Sequence, residues 1–121
     1  MSFKLEVIIP GVPKIATNGP HGHWSVRSRE RKKWRHLVVL AIGQKKPSSP
    51  FERVFCTFIR ATCREPDFDN LVASMKPIRD GLVDAGIVVN DKTSNMPEAK
   101  YIWEKAAKDN SHVRVIVEEV A

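Results

Sequence analysis

Between Asp69 and Gly86 the apolar residues Leu71, Met75, Ile78, Leu82 and Ala85 recur at steps of four, three, four and three, and Pro77 stands inside that stripe. This spacing is one face of a helix that must bury itself against another layer. Gly86 supplies the left-handed residue that commonly ends a helix. Pro77 lacks a backbone N–H and pushes the residue before it out of the helical region. The segment is therefore expected to kink or break in two near Met75 and Lys76.

The layer it packs on is read from the remaining periodicities. Residues 2–9 alternate as a strand closed by Pro10 and Gly11, and residues 11–23 form a loop with three glycines and two prolines. Trp34, Leu37, Val38 and Ala41 mark the inner face of a helix over 26–44. Residues 51–62 are β-rich without clean alternation, as in a strand buried on both faces. Residues 97–106 and 112–120 alternate and are expected to pair as a hairpin across KDNS. The order predicts an α/β (α+β) fold in a single domain spanning 1–121, with a small mixed β-sheet and two main helices packed on it.

Composition excludes several classes. With 42% hydrophobic and 28% charged residues the chain is neither disordered nor membrane-like, and its longest apolar run, LVVLAI at 37–42, is far too short to cross a bilayer. No secretory signal pattern opens the sequence, so no membrane partner and a cytoplasmic location are expected. Cys56 and Cys63 have no zinc-spaced partners and read as reduced thiols. Charge is more informative. Arg27, Arg29, Arg31, Lys32, Lys33, Arg35, Lys45 and Lys46 against Glu30 give residues 27–46 a balance of +7, leaving about −1 for the rest of a chain of net charge +6. Such a concentration is the footprint of a polyanion binder, and equally of a solvated helix face. Trp24 and Trp34 flank it, Trp34 as a core residue. His21 and His23 lie in the glycine-rich loop without a third ligand.

Against this basic background residues 66–70 read PDFDN, two carboxylates one residue apart. Asp67 and Asp69 are either turn and cap residues, Asp69 as a helix N-cap and Asp67 in an Asx turn, or ligands sharing a divalent cation. Asn90–Asp91 is likewise either a turn pair or a source of another ligand. Magnesium takes one or two carboxylates plus waters and phosphate oxygens, which Asp67, Asp69 and Asp91 would supply. On a continuous helix Asp69, Ala73, Lys76 and Asp80 share a stripe beside the buried one. Lys76 would then stabilise negative charge developing on a phosphodiester.

PDFDN, then KPIRDGL at 76–82, then DAGIVVND at 84–91, resembles the RusA family of Holliday-junction resolvases, often encoded by phages and prophages. The pattern is Asp-x-Asp-Asn-Leu, a lysine, an acid four residues on, a glycine, and a last acid after a short apolar run. It covers about 25 residues, from Asp67 to Asp91. The resemblance implies a homodimeric endodeoxyribonuclease, dependent on magnesium with manganese as an alternative, that binds four-way DNA junctions in a bacterial host cell and nicks two opposed strands. It implies Asp67, Asp69 and Asp91 as metal-binding acids, Lys76 as the catalytic lysine, and Asn70 and Asp80 as supporting residues. Two departures stand out. Asp69 and Lys76 are about one helical turn farther apart than in the founding enzyme, and Asn90 replaces a second acid.

Three readings remain distinct: a junction resolvase, a nuclease on other branched DNA such as flaps or forks, and a non-catalytic DNA-binding protein in which Arg27, Arg29, Arg31, Lys32, Lys33 and Arg35 carry the activity. For a dimer, Tyr101, Trp103, Val113, Val115 and Val117 are the expected apolar interface.

Overall fold

The computed structural model describes residues 3–14 and 24–120, and within the first helix the side chains from Ser28 onward. The chain folds in the order β1 (Lys4–Pro10), α1 (Trp24–Ile42), β2 (Val54–Thr62), α2 (Phe68–Ser74), α3 (Lys76–Asp84), β3 (Lys100–Lys105) and β4 (His112–Glu119). Four strands form one mixed sheet ordered β1-β4-β2-β3, and the helices pack on one side of it. No helix among the described residues is long and apolar enough to cross a membrane.

The alternation of each strand decides which side is covered. Leu5, Val117 and Cys56 lie in register across the sheet, followed by Val7, Val115, Phe58 and Tyr101. Together with Trp34, Val38 and Ile42 of α1 and Ile78 and Leu82 of α3 these residues make the core. The other side of the sheet carries Ile8, 59% exposed, and Ile102, 41% exposed. The expected dimer interface is thus corrected: Val113, Val115 and Val117 are buried, and Tyr101 and Trp103 pack against the core, because all five point to the helix-covered face.

A second correction concerns the predicted hairpin. β3 and β4 do not pair with each other; β2 lies between them, parallel to β3 and antiparallel to β4. β2 takes the interior position because it is the most apolar strand, with Ile59 and Ala61 buried on the side away from the helices. Residues 106–111 cross the end of β2, Ala106 donating to the Thr62 carbonyl at 2.9 Å. Two strand spacings are only about 10 Å, well within the reach of six residues.

The long apolar stripe does break in two, at Met75, whose φ of −89° and ψ of −4° separate α2 from α3. Pro77 then sits within the first turn of α3, where no intrahelical acceptor requires its missing N–H. At the other end Gly86, with φ of 80°, closes α3: Ile87 donates to the Leu82 carbonyl and Gly86 to that of Val83, both at 3.1 Å. This paired closure turns the chain sharply, and Ile87 is buried beside the helix it leaves.

α1 and α3 pack closely at Gly81. A Cβ there would stand 2.6 Å from the Val38 Cβ and 2.9 Å from one of its methyls. Gly81→Ala is expected to force the helices apart and to destabilise the fold by roughly 1–3 kcal/mol, as overpacking does. Thermal denaturation checks this; an unchanged midpoint would mean that the two helices separate freely.

Candidate functional site

The acids of PDFDN stand where β2 gives way to α2. Thr62 ends the strand, its hydroxyl donating to the Arg64 carbonyl at 2.7 Å while accepting from the Trp103 indole at 3.0 Å. Asp67 takes the N-cap position with φ of −61° and ψ of 150°, and its carbonyl receives the first helical bond from Leu71 at 2.9 Å. Its carboxylate makes no capping hydrogen bond. Asp69 falls in the first turn rather than at the cap. Both acids are exposed, as is Phe68 between them at 65%, and Asn70 is half-buried. Two carboxylates at a helix start are favoured by the partial positive charge there, and their exposure leaves their oxygens accessible to a ligand.

Immediately after the break, Lys76 opens α3 and bridges two other acids. Its Nζ donates to Asp80 Oδ1 at 3.0 Å and to Asp91 Oδ2 at 2.5 Å. The hydrogen bond from Lys76 holds the Asp91 carboxyl below the ordinary carboxylate range, and the same bond raises the Lys76 ammonium above its own. Asp91 reaches this position through the path the chain takes after Gly86. Phe51 and Val88 form a short parallel bridge that carries the chain back along the core, with Phe51 donating to Ile87 and Val89 to Phe51. Asn90 Oδ1 then accepts from the Asp91 N–H at 2.7 Å. Arg79 donates from Nη2 to the Asp91 carbonyl at 2.9 Å.

The structure therefore gathers Lys76, Asp80 and Asp91, while Asp67 and Asp69 make no ion pair or hydrogen bond with them. Among the described residues no three His, Cys, Asp or Glu side chains lie close enough together to hold a metal ion. The break at Met75 accounts for the separation, since the stripe joining Asp69 to Lys76 presumed one continuous helix. The donor chemistry nevertheless suits magnesium: every candidate ligand is a hard carboxylate oxygen, and magnesium needs only one or two alongside waters and substrate phosphate. Of the acids that the resemblance implies, Asp67 and Asp69, one residue apart, or Asp91 beside Lys76 would be the one or two to hold it.

On α1, Arg29, Arg31, Lys32 and Lys33 are exposed. Arg35 is paired instead, its Nε and Nη2 donating to the two oxygens of Asp84 at 2.7 and 2.8 Å. This fork holds Asp84 below the ordinary carboxylate range and ties α1 to α3. Glu30, the acid within the basic run, accepts from the indole of the buried Trp34 at 3.0 Å. The side chains of Trp24 and Arg27 lie outside the described ones, as do residues 18, 21 and 23. Both cysteines are free, and burial pushes the Cys56 thiol up to about 12.

Two arginines escape a reading by periodicity. Arg60 is buried on the helix-covered face of β2 and donates to the Pro13 carbonyl at 2.7 Å. Arg79 sits beside the apolar stripe of α3. Both resemble ordinary surface arginines in sequence; the signal that was present for Arg79 is its place three residues after Lys76, one turn along the same helix. No protein-family model matches the chain, and no curated protein matches it.

Proposed function

We propose that the chain is a magnesium-dependent, structure-specific endodeoxyribonuclease of the RusA type, resolving four-way junctions by paired nicks as a homodimer in the bacterial, phage-directed setting where such enzymes act. The observation that carries this reading is at Asp67: it occupies the cap position, yet its carboxylate does not cap. The turn-and-cap alternative requires these acids to be engaged with the backbone, and among the described residues Asp67 is not. In a protein that binds polyanions through basic side chains, exposed acids repel phosphates unless a cation lies between them.

Magnesium, when bound, supplies a water of lowered pKa and neutralises phosphodiester charge. The chain's own residues do the rest. Exposed Arg29, Arg31, Lys32 and Lys33 draw the DNA backbone to the surface of α1. Lys76, held by Asp80 and Asp91, keeps a fully charged ammonium close to an acid that would bind the ion, where it can stabilise the departing oxygen.

The test is cleavage of a labelled four-way junction beside linear duplex, with magnesium and with chelator. Paired nicks in the junction that require magnesium are expected. Cleavage of flaps or forks in preference to junctions would move the substrate to other branched DNA. Binding that falls steeply with salt, ignores magnesium and never leads to a nick would make the protein a non-catalytic DNA binder, for which the exposed basic face of α1 is the favouring observation.

A further inference from the structure

Arg79 lies on α3 between Ile78 and Asp80, and its charge is turned toward the sheet. The guanidinium is close enough to Cys56 of β2, Tyr101 of β3 and Asp91 to act electrostatically on all three. Its Nη2 donates to the Asp91 carbonyl at 2.9 Å, and its Nε is buried with no acceptor among the described residues. A guanidinium in that position with a donor left unpaired opposes folding, and an apolar side chain of similar length would fill the space without that penalty. The arrangement is accounted for by what the one bond holds. Lys76, one turn earlier on the same helix, takes the Asp91 carboxylate, and Arg79 takes its main-chain carbonyl. Asp91 is thereby gripped at both ends from a single rigid element, although it lies in an irregular segment.

We propose that Arg79 is a positioning residue for the candidate site, fixing the backbone of Asp91 so that its carboxylate is presented beside Lys76; the inference rests on reading Asp91 as a site residue. It acts through Asp91 and touches no substrate. A hydrogen bond from a supporting group typically accounts for about 10–100-fold in metal affinity or activity.

The experiment compares wild type, Arg79→Met and Arg79→Lys by thermal denaturation, by amide hydrogen exchange, and by kcat and KM on a four-way junction with magnesium. Arg79→Met is expected to melt within a few degrees of wild type, to exchange faster at residues 90–95, and to lose about 10–100-fold in kcat with KM little changed. Arg79→Lys is expected to recover part of both losses. Unchanged exchange and kcat in Arg79→Met would overturn the proposal. So would a large fall in melting temperature with faster exchange across β2 and β4, which would make Arg79 a support of the whole fold. If wild type does not cleave at all while exchange still rises only at residues 90–95 in Arg79→Met, the nuclease reading fails and the anchoring of Asp91 stands.

Discussion

Asp69→Asn is expected to lower junction cleavage by more than about 100-fold while leaving junction binding as tight as in wild type or tighter. The two effects have one cause. Asp69 is exposed in the first turn of α2, and replacing its charge by an amide would remove both a hard ligand of the proposed magnesium site and a repulsion against phosphate. Structural damage should be small, because an amide is tolerated in the first turn of a helix and Asp69 does not occupy the cap. Gel-shift and cleavage assays on the same preparation separate the outcomes. Joint loss of binding and folding would make Asp69 structural and withdraw the catalytic assignment, whereas unimpaired cleavage would leave PDFDN as a solvated turn.

Much of this framework follows from local chemistry. The four–three stripe, Pro77 and Gly86 each act within a few residues of themselves, so the break at Met75 and the closure of α3 were legible before any tertiary contact was known. Strand pairing was not. Residues 97–106 and 112–120 alternate equally well beside each other or on either side of a third strand, and only the apolar character of β2 on both faces decides for the second. The same ambiguity misplaced Tyr101 and Trp103, since alternation shows that a strand has two faces without showing which one the helices cover.

For the candidate site, the pairing of Lys76 with Asp80 was readable as an i,i+4 contact, but that with Asp91 was not, because it depends on the chain returning past Phe51 after Gly86. Arg79 illustrates the limit more sharply. An arginine beside a buried stripe ordinarily extends to solvent, and its spacing from Lys76 places it near the site without announcing a backbone carbonyl arriving from 12 residues later.

Lys76→Met is expected to reduce cleavage by about 100-fold or more and at the same time to tighten magnesium binding. In the wild type one ammonium lies between Asp80 and Asp91, whose side chains are 23% and 20% exposed. Removing it leaves two carboxylates facing a shared space without the ammonium that bridged them, which favours a divalent ion over their mutual repulsion. Calorimetric titration with magnesium measures that gain independently of catalysis. Stability adds a check on whether the charge itself matters. Lys76 is raised by Asp91, so its contribution is complete below the ordinary lysine value of about 10.4 and is lost as pH climbs through the raised one. Asp91 is lowered by Lys76, so its contribution is present above the ordinary aspartate value of about 3.9 and is lost as pH falls through the depressed one. Because the Lys76 side chain is 53% exposed, solvent screening limits the pair to less than about 1 kcal/mol. Wild type should therefore be slightly the more stable at pH 7, and the difference should close as pH falls well below the aspartate range. A difference that persists there would show that the variant removes packing by the lysine stem, and that the ammonium between Asp80 and Asp91 contributes no net stability.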